Sequence, residues 1–133
     1  MKIKKYVIGF AIALFLVWII TDALTRPNLN ELDGDFKEVA MYRNENNTGP
    51  IVRIYAVTLA DTRWTEMKKY GDLMPHTKYG NTKVYFFLNN SPVPKELIPG
   101  KDNFSPGFKK YCLAVYEKDA MSVVSFRKHP FNN

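Results

Sequence analysis

The chain has 133 residues, of which 46% are hydrophobic and 14% aromatic, and its formal net charge is +6. This composition excludes a disordered chain, and the length allows one domain of ordinary size beside an apolar N-terminal segment. A single cysteine, Cys112, excludes an intrachain disulfide framework and a cysteine-based zinc cluster.

The positive charge is scattered along the chain and is not gathered in one segment. From residue 26 onward, sixteen Lys or Arg stand against twelve Asp or Glu, which leaves a net charge of +4. Nucleic-acid binding usually requires a basic stripe with stacking aromatics or a recognisable fold motif, and the sequence has neither. We therefore predict a mildly basic solvated surface and no nucleic-acid partner, with a weak preference for an acidic partner or anionic headgroups.

Sixteen uncharged residues, 6–21, follow the N-terminal lysines and are apolar on every face of a helix. As a helix they would cover about 24 Å, against a hydrocarbon core roughly 30 Å thick. Lys4 and Lys5 could extend this span by snorkelling at one interface, next to Tyr6. Trp18 would lie near the far interface, where an indole favours the mixed environment. These features predict a transmembrane anchor.

The charges that flank the anchor predict its orientation. Three lysines precede the apolar segment and an aspartate follows it, which places the N-terminus in the cytosol. The predicted parts are a cytosolic tip, an anchor, a linker and an exported domain, at residues 1–5, 6–21, 22–35 and 36–133. A cleaved signal peptide is the alternative, although residues 21–23 are a poor cleavage site. A disulfide-free exported domain favours the bacterial inner membrane and periplasm.

Five segments of the exported domain have the patterns of β-strands. Residues 36–43 place Val39 and Met41 on one side of an extended chain, as in a half-buried strand. Two longer runs are apolar on both faces, which is typical of strands covered on two sides. These are residues 51–60 and 83–90. A last pair flanks a short polar break and predicts a hairpin, with strands at 111–117 and 121–127.

One helix is predicted between the second and third strands, at residues 62–74. Trp64, Met67 and Met74 recur at helical spacing, and Asp61 is placed to cap the first turn. The resulting order is β-β-α-β-β-β. It predicts an α+β fold in which a roughly five-stranded, mostly antiparallel sheet carries one packed helix.

The sequence predicts no catalytic, cofactor or metal site. Cys112 lies at the start of a predicted strand, where a free thiol is usually a buried small side chain. His76 and His129 are 53 residues apart, and neither has acidic neighbours at metal-ligand spacing. No glycine-rich phosphate loop occurs. The sequence therefore does not establish an enzyme and favours a protein without catalytic activity.

Three Asn-x-Ser/Thr triplets begin at Asn46, Asn89 and Asn103. In a eukaryotic secreted protein such triplets mark glycosylated surface loops. In the bacterial envelope that we prefer, they carry no such meaning.

Two loops remain as candidate recognition surfaces. One contains His76, Lys78, Tyr79 and Lys83 between the helix and a buried strand, and rigidly held loops often carry recognition. The other, residues 91–107, is proline-rich and long for a connection without structure.

These loops, with the anchor, predict a non-enzymatic, membrane-anchored envelope protein. Its exported domain would bind a protein partner, as an accessory subunit or interaction module of a membrane complex. The alternatives are an immunity or inhibitor protein against a toxin outside the cytosol, a small secreted enzyme, or a domain that binds a small lipid or sugar.

Overall fold

The computed structural model describes residues 2–25, 32–44 and 49–131. Its helices and strands confirm the predicted α+β class. In chain order they are α1 (Lys2–Thr25), β1 (Lys37–Arg43), β2 (Val52–Leu59), α2 (Trp64–Leu73), β3 (Asn81–Leu88), a short 3-10 helix (Pro106–Tyr111), β4 (Cys112–Lys118) and β5 (Val124–Lys128).

The five strands form one mixed sheet in the order β1-β2-β3-β4-β5. The pairing of β2 with β3 is parallel, and the other three pairings are antiparallel. A parallel pair needs a crossover connection, and α2 supplies it between β2 and β3. The outer strands β1 and β5 are the two edges of the sheet.

Helix α2 starts later than the sequence predicts. Arg63 is the N-cap residue, and no side chain caps the first turn. The predicted cap, Asp61, instead accepts a hydrogen bond from Arg63 Nε at 2.7 Å. The capping prediction is wrong because a guanidinium two residues away takes the carboxylate. Met67, Tyr70 and Gly71 form the buried side of the helix.

The sheet is covered on both faces, which explains why β2 and β3 are apolar on both sides. The helix face, beneath α2, buries Tyr55, Val57, Leu59, Met67, Tyr70, Val84, Phe86, Ala114 and Tyr116. The opposite face, called the loop face below, buries Ile54, Ala56, Tyr85, Phe87, Leu97, Phe104, Cys112 and Val115. Full burial of a large apolar side chain stabilises the fold by roughly 1.5–3 kcal/mol.

The proline-rich segment is a layer of the core, although it has almost no regular structure. It covers the loop face with Leu97 and Phe104, and Asn103 is only 4% exposed. The Asn103 side chain accepts a hydrogen bond from Tyr85 Oη at 2.6 Å and donates to the carbonyls of Ile98 and Gly100, at 2.9 and 3.2 Å. Because Asn103 is buried and fully bonded, its triplet is closed to glycosylation in the folded domain. Asn89 is exposed, and Asn46 lies outside the described residues.

Helix α1 has 24 residues, about 36 Å, and extends past both ends of the predicted anchor. Its stretch Ile3–Ile20 has a mean hydropathy of 2.1, and none of it is buried. Among the described residues, α1 alone is long and apolar enough to span a membrane by length and composition. A signal sequence shares these properties.

The chain reaches the sheet at one defined end. The predicted linker lies partly outside the described residues, but its Gly34 carbonyl accepts a hydrogen bond from Ala60 N at 2.7 Å. We call this the linker end of the sheet, where β1 begins and β2 and β3 finish. The opposite, far end carries the loop before β3 and the turn between β4 and β5. The two ends of the eight-residue β2 are about 23 Å apart.

Candidate functional site

The four loop residues singled out from the sequence do not form one cluster. Lys78 and Tyr79 are exposed at the far end, with Lys78 Nζ 5.1 Å from the centre of the Tyr79 ring. Tyr79 is 59% exposed, and its φ of +65° presents the ring on a left-handed residue. Lys83 lies inside β3, because that strand starts two residues earlier than predicted, at Asn81.

Lys83 belongs to a different surface from Lys78 and Tyr79. Tyr85 is in the loop-face core, and side chains alternate along a strand, so Lys83 lies on the loop face as well. Its register partner on β4 is Glu117. Lys83 therefore belongs to the surface of the sheet, whereas Lys78 and Tyr79 belong to the loop that precedes β3.

His76 turns inward and fixes the loop. Its Nδ1 lies 3.0 Å from Thr82 Oγ1, and the Thr82 hydroxyl donates to the Pro75 carbonyl at 3.1 Å. We infer from this network that Nδ1 carries the proton and donates to Thr82. Nε2 is buried and has no hydrogen-bond partner in the described part of the chain. Burial, with smaller effects from Lys118 and Arg53, lowers the pKa of His76, which favours the neutral ring.

The turn between β4 and β5 holds apolar side chains in solvent. Met121 is 77% exposed and Val123 is 60% exposed, and Val124 beside them is exposed too. The turn is tied together by Asp119, whose Oδ1 accepts hydrogen bonds from the backbone nitrogens of Met121 and Val123, both at 2.9 Å. Ser122, at φ +62°, completes the reversal. An ordered turn with exposed apolar side chains is typical of an interaction surface.

Strand β5 continues this surface as an open edge. The backbone nitrogen of His129 donates to Leu113 on β4 at 2.7 Å. Residues of an antiparallel strand alternate in the side to which their backbone groups point. The N–H and C=O groups of Val124, Phe126 and Lys128 therefore face away from β4, along the free edge.

A groove with a volume of about 620 Å³ runs beside this edge, on the helix face. It lies between α2 and β5 because α2 packs mainly over β3 and β4 and reaches β5 through Trp64. Its lining residues are Lys68, Asp72, Val124 and Phe126.

The side chains around the groove fix its floor and its charge. Trp64 makes an edge contact with Phe126, at 6.3 Å between ring centres, and Lys128 Nζ lies 5.1 Å from the centre of the Trp64 ring. Asp72 Oδ1 accepts a hydrogen bond from Tyr116 Oη at 2.6 Å, so its carboxylate is engaged. Burial and the Asp72 carboxylate raise the pKa of Tyr116, which keeps this hydroxyl protonated as a donor. The groove lining thus holds one basic and one acidic side chain, Lys68 and Asp72, and Lys128 lies beside it over the Trp64 ring.

Cys112 is buried, as the sequence predicts, and lies on the loop face. Its thiol contacts the Ala114 carbonyl at 3.4 Å, and burial raises its pKa to about 12. His76 is at the far end of the sheet, and His129 packs against Trp64 on the helix face. A protonated, buried thiol without a neighbouring base is unsuited to act as a nucleophile.

Sequence reasoning missed the edge residues Met121, Val123 and Val124, and it selected the neighbouring loop instead. The available signal was the uncharged run from Ala120 to Phe126 in a predicted terminal hairpin.

In the described residues, no group of three or more His, Cys, Asp or Glu side chains could hold a metal ion. No family model, curated protein or solved structure matches the chain.

Proposed function

We propose that this protein is a single-span membrane protein whose C-terminal domain lies outside the cytosol and binds a protein partner along the β5 edge. The surface consists of the turn residues Met121 and Val123 and the edge strand β5. The observation that carries the proposal is the continuity of exposed apolar side chains with unpaired backbone groups. Exposed sheet edges are usually blunted by charges, bulges or a covering segment. In β5, the charges come only at its end, in Arg127 and Lys128.

An extended segment of the partner fits this surface by adding a sixth strand. The outward N–H and C=O groups of Val124, Phe126 and Lys128 would pair with it, and the groove beside Phe126 would receive its side chains. Each backbone hydrogen bond would contribute about 1 kcal/mol net. Lys68 and Lys128 favour a segment in which acidic residues alternate with apolar ones, because a rim charge of opposite sign speeds association.

The membrane part of the proposal rests on α1 and the charges beside it. The apolar stretch of α1 is long enough for a hydrocarbon core of roughly 30 Å, and the lysines before it favour a cytosolic N-terminus. The linker residues 26–35 reach at most about 35 Å when extended. The domain would therefore stay close to the bilayer, with the hairpin turn at the end farther from the tether. This arrangement suits an accessory subunit of a membrane complex.

Photo-crosslinking in native membranes tests the binding surface. We expect the full chain carrying p-benzoylphenylalanine in place of Met121 to form a discrete protein adduct. The same residue in place of Glu96, which is exposed on the covering segment, should give at least about tenfold less adduct, because hot spots are local. Equal yields from the two positions, or adducts from Glu96 alone, would refute the assignment of the surface.

A pair of variants at Val124 tests the strand-addition mode. Val124→Pro removes an outward N–H but leaves the ladder to β4 intact, since proline is tolerated where an edge N–H faces solvent. Val124→Ala trims the side chain and keeps the N–H. We expect the proline variant to lose most of the Met121 adduct and the alanine variant to keep most of it. Similar losses in both would indicate a contact made by side chains alone.

A further inference from the structure

A second groove, with a volume of about 520 Å³, lies at the linker end of the loop face. It opens between the edge strand β1 and the segment that follows β3. Its apolar wall includes Val39, Val93 and Phe108, and its polar rim includes Lys37, Lys95 and Asn89. The groove shares no residue with the proposed protein-binding surface.

The walls of this groove are held by backbone contacts. A bulge interrupts the β1–β2 register between Glu38 and Ala40, and it places Val39 at the groove. Asn89 N donates to the Leu59 carbonyl at 2.9 Å, which fixes the start of the other wall to the end of β2. Ser91 then closes a turn through its hydroxyl, which donates to the Leu88 carbonyl at 2.8 Å.

The rim of the groove presents hydrogen-bond donors with positive charge. Neither Lys37 nor Lys95 makes an ion pair within the part of the chain that the structure describes, whereas Asp61 at this end is paired with Arg63 at 2.7 Å. The ammonium groups and the Asn89 side-chain N–H groups are donors, and a phosphodiester group offers only acceptors at neutral pH. The groove is therefore complementary to a phosphate-bearing ligand that also has an apolar part.

The position of the groove indicates the source of that ligand. The linker joins the domain through Gly34, whose carbonyl bonds to Ala60 just past the end of β2. Lys37 lies three residues farther along the chain, and Asn89 is bonded to the last residue of β2. The groove thus lies beside the point where the tether enters the domain. With α1 in a bilayer, it would be within a linker length of the headgroups.

We infer that this groove binds the headgroup phosphate of an anionic phospholipid, with the glycerol and upper acyl carbons against Val39 and Phe108. The inference rests on the proposed function, because it requires α1 to hold the domain at a membrane. Its consequence is an orientation: the linker end rests on the bilayer, and the β5 hairpin turn projects away from it toward the partner.

Native mass spectrometry of the full chain in uncharged dodecyl maltoside micelles tests the groove. The probes are dioleoylphosphatidylglycerol and dioleoylphosphatidylcholine at equal concentrations. The test variant is the double substitution Lys37→Gln with Lys95→Gln. The matched control, called the α2 control below, is Lys69→Gln on α2 with Lys78→Gln in the loop that follows it, which removes the same charge from exposed positions outside both grooves. Thermal melts by circular dichroism confirm that both variants fold.

We expect wild type and the α2 control to retain phosphatidylglycerol in preference to phosphatidylcholine. The groove variant should lose about thirtyfold of that preference, since each lysine near an anionic surface contributes about 1 kcal/mol. Equal retention by the groove variant and the control would overturn the inference. A third arm adds inorganic phosphate: if millimolar phosphate displaces the lipid fully, the groove recognises free phosphate, which also overturns it.

A separate measurement keeps this outcome distinct from the membrane proposal itself. Flotation of the full chain with vesicles of pure phosphatidylcholine reports insertion of α1 and does not depend on the groove. If the chain floats and the groove variant keeps its lipid selectivity, the headgroup site is refuted and the membrane anchor is supported. If the chain does not float, the membrane anchor is refuted, and the membrane role of the groove is refuted with it.

Discussion

Replacing Gly71 with alanine is expected to destabilise the domain by about 3 kcal/mol or more. Gly71 lies on the buried side of α2, and an added Cβ would overlap Cγ, Cδ1 and Cδ2 of the Tyr116 ring. Tyr116 is fully buried in the helix-face core and bonded through its hydroxyl to Asp72, so a shift of the ring would disrupt core contacts and that hydrogen bond. Overpacking of a core costs typically about 1–3 kcal/mol and occasionally more, and this overlap is severe.

Taken alone, helix α2 would be stabilised by the same substitution. The sign of the change in the free energy of unfolding therefore shows whether the steric overlap outweighs the gain in helix propensity. Alanine is favoured over glycine in a helix interior by about 1 kcal/mol. The steric overlap must exceed that gain for the protein to be destabilised. Denaturant unfolding of the full chain, followed by near-ultraviolet circular dichroism, gives the free energy of unfolding. Gly107→Ala is the control, since a Cβ there meets no atom within 4 Å. A Gly71→Ala protein as stable as wild type would show that α2 does not pack on Tyr116 as described.

Asn103→Ala should produce the second large loss, about 3 kcal/mol. The substitution removes the acceptor of the buried Tyr85 hydroxyl and the donors to two carbonyls of the covering segment. Each buried polar group left without a partner costs about 1–3 kcal/mol. Burial also raises the pKa of Tyr85 to about 12, so its hydroxyl stays protonated and needs its acceptor at any physiological pH.

Tyr85→Phe is the matched control for Asn103. It removes the hydroxyl but leaves the bonds from Asn103 to the backbone, so we expect a smaller loss of about 1–1.5 kcal/mol. The stability loss of the double variant, Asn103→Ala with Tyr85→Phe, should be smaller than the sum of the two single-variant losses, because the two side chains share one hydrogen bond. Full additivity in denaturant unfolding would mean that Asn103 and Tyr85 act independently.

Much of the architecture could be predicted because it depends on local patterns. Residues 51–60 and 83–90 are apolar on both faces, and they form the two central strands that α2 and the covering segment enclose. The hairpin of β4 and β5 was also predicted. Its second strand starts three residues late, because Asp119 binds the backbone of Met121 and Val123 and lengthens the turn.

What could not be predicted depends on contacts between distant residues. Asn103 has the sequence context of an exposed loop, yet Tyr85 on a strand eighteen residues earlier makes it a buried anchor of the core. Lys83 was predicted both as the first residue of a strand and as the last residue of the recognition loop, because the local pattern does not show that Asn81 and Thr82 belong to the strand. Asn81 joins β3 because its backbone nitrogen bonds to Ile51 and its side chain to Glu117.

Two of the four recognition residues predicted from the sequence lie at the same end of the domain as the surface proposed above. Lys78 and Tyr79 are exposed there, but the larger apolar exposure belongs to Met121 and Val123 in the adjacent turn. A sequence pattern cannot show which strand is the edge of a sheet, and edge position is what leaves the backbone groups of β5 unpaired. The assignment of these residues to partner binding remains a proposal.

The central claim is that one helix tethers a domain lying outside the cytosol. Labelling of intact cells with a membrane-impermeant maleimide tests it most directly, because the buried Cys112 stays silent in the folded protein. We predict that a cysteine at the exposed turn residue Ala120 is labelled in intact cells, and that one at Lys2, which precedes the apolar stretch, is labelled only after lysis. Protection of Ala120→Cys until lysis, or recovery of the chain in the aqueous fraction, would contradict the claim.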